Sequence, residues 1–126
     1  MLQNHPMYAY IPARDLPRAR AFYEQKVGLK PKQEIAGGVV YESAGGTACF
    51  LYATPNAGTS KASQAFWQVE DVDREIEELK SRGVVFEKYP DMPGERSASG
   101  ALTDGGAKAA WFKDSEGNTM AIIQEV

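Results

Sequence analysis

The chain has 126 residues, 43% hydrophobic and 25% charged, with a formal net charge of −3, the balance of one compact globular domain. Its Lys and Arg residues are scattered, which excludes the clustered positive face that nucleic acid requires, and no apolar run reaches the roughly 20 residues needed to span a bilayer. A single Cys49 and a single His5 exclude an internal disulfide, a Cys-rich zinc cluster and any site needing two histidines from one chain.

The opening stretch MLQNHPMYAY lacks the basic-then-apolar layout of a secretory signal, so a cytoplasmic protein is expected. His5 is followed by Pro6, lies on the opposite strand parity from Tyr8, and reads as a terminal residue without a catalytic role. Residues 7–29, MYAYIPARDLPRARAFYEQKVGL, run strand, Asp turn, amphipathic helix and Gly28. Leu16, Ala19, Tyr23 and Val27 mark the apolar face of that helix. Three strand-like pieces follow, KPKQEIA, VVYES and TACFLYAT, separated by Gly37-Gly38 and Gly45-Gly46, where hairpins need positive φ. Residues 53–63, ATPNAGTSKAS, are small, polar and Pro/Gly-bearing, the composition of a linker.

Residues 63–84, SQAFWQVEDVDREIEELKSRGV, repeat the opening order of strand, Asp turn, helix and glycine. Asp71 corresponds to Asp15 at an offset of 71 − 15 = 56, which also pairs Tyr8 with Gln64 and Tyr10 with Phe66. Both aspartates suit helix N-caps, where a carboxylate accepts the free amide hydrogens of the first turn. Val72, Ile76 and Leu79 form one apolar stripe, and Gly83 stops the helix. The pieces VVFEKYP, KAAWFKD and TMAIIQE then read as strands, with a long loop over residues 90–106 and a turn at Glu116-Gly117-Asn118. Each half is therefore β-α-β-β-β. The expected division is a first module over 1–55, a linker over 56–63 and a second module over 64–126, within one compact domain. Helices cover one face of each sheet, and two curled sheets would leave a concave space between their other faces.

These two modules, the DLPRARAFYEQKVGL helix and the AAWFKDSEGN turn together resemble the vicinal oxygen chelate superfamily of glyoxalases, bleomycin-resistance proteins and extradiol dioxygenases. The resemblance implies an α+β fold in which two βαβββ modules form a cup-shaped, curled mixed sheet, and it implies a homodimer. It also implies four metal-binding places, held here by Tyr8, Cys49, Gln64 and Ala121. Glutamate is the family's residue where Ala121 stands. One amide, one phenol, one thiol and a methyl group do not make a site for a divalent ion, so no metal and no cofactor are expected.

Those four places set an expected lining for the cup. Tyr8 and Tyr10 come from the first strand, Cys49 and Leu51 from the fourth. Gln64, Phe66 and Gln68 come from the second module's first strand, Ala121 and Ile123 from its last, with Trp111 or Phe112 from the strand between. Aromatic and aliphatic groups with a few amides and hydroxyls suit a small organic molecule. Bland alternatives stand beside this: Tyr8 and Tyr10 as wetted sheet surface, Cys49 as a small buried hydrophobe, Glu42 as a solvated carboxylate rather than a general base, Arg96 as a surface arginine rather than an anion clamp. The expected function is binding of a small organic ligand without a metal, with no nucleic acid and no membrane as partner. Alternatives are a lyase, isomerase or dioxygenase with a non-standard or absent metal site, and a dimer whose cup is filled by its own side chains.

Overall fold

Asp15 and Asp71 cap the two helices. In the computed structural model, which describes residues 1–35 and 37–125, their carboxylates accept from the backbone N–H of Arg18 at 3.1 Å and of Arg74 at 3.2 Å. Helix α1 (Leu16–Ala21) carries Pro17 in its first turn, where a missing N–H costs little. It runs on into a π-helical stretch, Phe22–Val27, and stops at Gly28 with φ +88°. Helix α2 (Val72–Ser81) buries Val72, Ile76 and Leu79, the stripe its spacing predicts. No helix among the described residues is long and apolar enough to cross a membrane.

The first module contributes β1 (Ala9–Ala13), β2 (Pro31–Ile35), β3 (Gly38–Glu42) and β4 (Ala48–Ala53), in the sheet order β1-β4-β3-β2. The second contributes β5 (Ser63–Gln68), β6 (Glu95–Arg96), β7 (Leu102–Asp104), β8 (Ala107–Lys113) and β9 (Thr119–Glu125), in the order β5-β9-β8-β7-β6. The module-opening strands β1 and β5 pair parallel with β4 and β9, and every other pairing is antiparallel. The fold is α+β, with two open mixed sheets of matching topology.

VVFEKYP departs from its expected role. Among the described residues its contacts with the sheet are an isolated bridge between Phe86 and Phe112 and a bond from Glu87 N to Trp111 O at 2.7 Å. Pro90 and Pro93 follow, and neither has an N–H to extend a ladder. The fourth place in the second sheet goes instead to β7, inside the stretch expected to be loop, and β6 adds a fifth strand. The intervening residues 97–101 are pinned to α2. Asp73 accepts from Ser97 Oγ at 2.5 Å and from Ser99 Oγ, and is ion-paired with Lys108.

One face of each sheet enters a single core shared with both helices. Ile11, Val39, Tyr41 and Leu51 reach it from the first sheet, and Phe112, Met120 and Ile122 from the second. Phe22 of the π-helical stretch packs on Phe112 with ring centroids 6.2 Å apart, joining the modules. The turn between β8 and β9 joins them through polar groups. Asp114 accepts from the Tyr23 hydroxyl at 2.5 Å, and Asn118 Nδ2 donates to Pro12 O at 2.8 Å. The segment between β4 and β5 is also held: Ala57 is fully buried and Gly58 N donates to Asn118 Oδ1 at 3.1 Å.

Candidate functional site

Strand alternation decides which side chains avoid the core. On β1 and β4 the register pairs Tyr10 with Phe50 and Pro12 with Tyr52 on one face, and Ile11 with Leu51 on the other. The second set is in the core, so the first faces outward. Tyr10, Phe50 and Tyr52 form one aromatic patch there. The Tyr10–Tyr52 centroids lie 4.9 Å apart edge-on, Tyr10–Phe50 5.9 Å edge-on, and Phe50–Tyr52 6.2 Å stacked.

A cleft of about 380 Å³ opens on this face between Tyr8, Tyr10, Ile35, Val40 and Phe50, with Lys32 and Gln33 among its polar lining. Lys32 is ion-paired with Glu42, which raises the lysine pKa. Glu42 is thus an exposed, paired carboxylate rather than a free base. A second cleft, of about 350 Å³, opens on the second module between Tyr89, Pro90, Leu102 and Trp111, with Glu87, Lys88 and Arg96 as its charged lining. Tyr89 meets Trp111 edge-on at 5.5 Å. Each of these clefts is lined from one module alone. A third space, of about 460 Å³, lies where the modules meet and brings Tyr8 and Cys49 together with Phe66, Trp67 and Met120.

The expected lining divides between these places. Tyr10 and Phe66, equivalent by the offset of 56, are 61% and 59% exposed. Trp111 lines the second cleft while its neighbour Phe112 is in the core. Gln68 is exposed, Ile123 half-buried and Ala121 buried. Gln64 Nε2 donates to Tyr10 O at 3.1 Å across the junction of β5 and β1. Cys49 and Leu51 lie on the core side, beside Ala9 and Ile11, with Leu51 fully buried. Burial pushes the Cys49 thiol up to about 11 despite a bond from the Tyr41 backbone, the reverse of an activated nucleophile.

Phe50 and Tyr52 are the residues the sequence reading missed, by a slip of one position. In β3 and β4 Glu42 pairs with Ala48, and Val40 with Phe50. A charged residue on that face marks it as the open one, and that is the signal that could have placed Phe50 outward. The register Tyr10–Phe50 matches Phe66–Ala121 in the second module. By that register the four places that the resemblance implies fall on Tyr8, Phe50, Gln64 and Ala121, with Phe50 in place of Cys49. A phenol, a phenyl ring, an amide and a methyl group do not fit a divalent ion. Among the described residues, no three of His, Cys, Asp or Glu are grouped to hold one.

Several solved structures share this fold. The antibiotic binding protein TnmS3 from Streptomyces sp. CB03234 superposes with a TM-score of 0.74 at 22% identity, covering 100% of this chain and 99% of its own. A glyoxalase/bleomycin resistance protein from Catenulispora acidiphila matches with a TM-score of 0.70 at 22% identity, over 96% and 98% of the two chains. A glyoxalase/bleomycin resistance protein/dioxygenase from Alicyclobacillus acidocaldarius gives 0.70 at 18% identity, over 97% and 92%. No curated protein sequence gives a significant match. The sequence profile of one family covers residues 3–122, and the chain belongs to that family, the glyoxalase/bleomycin resistance protein/dioxygenase superfamily.

Proposed function

We propose that this protein is a cytoplasmic homodimer that binds a small, partly aromatic organic molecule without a metal. The observation that carries the reading is the pair Tyr10 and Phe66, equivalent aromatic residues on the two module-opening strands, each left more than half exposed. Exposed aromatic surface rimmed by polar groups is the make-up of a binding face. Because the two open-face clefts are each lined from one module, each supplies half a cup. A second copy laid module against module would close both. The antibiotic binding protein TnmS3, which shares the fold, supports an organic molecule as the guest.

An enzyme of the lyase, isomerase or dioxygenase type draws less support. It would need a group to move a proton and another to meet negative charge. Glu42 is tied to Lys32, and the Cys49 thiol is held protonated. Melting temperatures measured against a panel of aromatic antibiotics and aromatic metabolites test the proposal. Stabilisation by a panel member that Tyr10→Ala and Phe66→Ala both lose supports it, and a flat panel overturns it.

A further inference from the structure

We infer that the second cleft is an anion-bearing subsite: it takes an aromatic ligand that carries a carboxylate or another planar oxyanion, with Arg96 as the anchor. This rests on the proposed binding role and adds the ligand's chemical class. The aromatic wall is Trp111 with the Tyr89 ring edge-on at 5.5 Å. The arginine is fixed to that same wall. Its Nη2 donates to Tyr89 O at 2.5 Å and its Nη1 to Gly94 O at 3.0 Å. Two of its five N–H groups are thus used to aim it, and three remain for a guest.

Carbonyls orient a guanidinium without cancelling its charge. Among the described residues, Arg18, Arg20 and Arg82 each hold a carboxylate, whereas Arg96, like Arg14 and Arg74, forms no ion pair. The cleft lining carries Lys88 and Arg96 against the single Glu87, a positive balance in a chain of net charge −3. A cationic guest would meet repulsion there. An oxyanion on a flat ring system gains a charge-assisted pair at one end and aromatic contact at the other.

Isothermal titration calorimetry with naphthoate and its uncharged methyl ester tests the inference. The acid is expected to bind about tenfold tighter than the ester, the worth of one charge-assisted pair. Arg96→Gln should bring the acid to the ester's affinity, Arg96→Lys should retain part of the difference, and added salt should weaken the acid alone. Equal affinities in the unaltered protein, or a preference that survives Arg96→Gln, would overturn the anion subsite while leaving organic binding in place. Absence of binding by both probes would overturn the subsite, while the binding role stands or falls with the wider panel.

Discussion

Glu116 and Arg18 stand 98 residues apart in sequence and are joined by two hydrogen bonds, Nε to Oε2 at 2.8 Å and Nη2 to Oε1 at 3.0 Å. Oε1 also accepts from the backbone N–H groups of Arg14 and Asp15 at 2.8 and 2.9 Å. One buried carboxylate at the tip of the β8–β9 turn thus satisfies the chain entering α1 and binds the second module to the first. The turn that closes the AAWFKDSEGN stretch is thus a latch between modules.

Removing the latch should destabilise the protein. Glu116→Ala strands two backbone N–H groups and a guanidinium, at a cost of about 2–4 kcal/mol in urea unfolding. Arg18→Ala should cost less, because the arginine is half exposed and the backbone donors keep their acceptor.

Acid unfolding should show the same group. Burial raises the Glu116 carboxyl, but its bonds to Arg18, Asp15, Ser115 and Arg14 outweigh that and bring it from 4.5 down to about 2. The folded value lies below the unfolded one, so this stabilisation is complete above about pH 4.5 and is lost as pH falls through about 2. Asp73, held to about 2 by Lys108, Ser97 and Ser99, behaves likewise. Stability measured over that window should fall less steeply in Glu116→Gln than in the unaltered protein. Equal slopes would remove Glu116 from the account.

Gly58 meets the same turn from the other side. It has φ +74°, and a Cβ there would lie 2.4 Å from Glu116 O. Gly58→Ala should therefore cost more than about 1 kcal/mol by unfolding, well beyond a flexible-linker substitution.

Cys49 and Phe50 should separate cleanly. Cys49, with its thiol pushed up to about 11, should be alkylated at mildly alkaline pH about a hundredfold more slowly than a free thiol. Cys49→Ser should lower stability and leave ligand-induced melting shifts unchanged. Phe50→Ala should reduce those shifts with little loss of secondary structure. The opposite pattern would mean that β4 turns its other face outward.

Much of this architecture was legible in the chain. The offset of 56 located both caps, both helices and the outward parity of Tyr10 and Phe66, because a carboxylate before an apolar stripe is a local, strongly patterned signal. Parity in β4 was not legible from its own residues. In ACFLYA both faces are apolar, so alternation cannot choose between Cys49-Leu51 and Phe50-Tyr52, and only the pairing of Glu42 with Ala48 decides it. The role of β7 was hidden for another reason. Three residues carry no periodicity, and the better-patterned VVFE stretch uses Val84 and Phe86 to pack against the core while making one bridge. Arg96 drew notice in the sequence as an arginine in a long loop, but its place beside Trp111 follows from that unseen strand.

Native mass spectrometry of the purified protein, recorded before and after chelator, tests metal-free binding of an organic guest. The expected result is a dimer with no bound divalent ion, whose capacity for an aromatic guest is indifferent to chelator and falls in Tyr10→Ala and Phe66→Ala. A stoichiometric divalent ion, removed by chelator together with the guest, would contradict it.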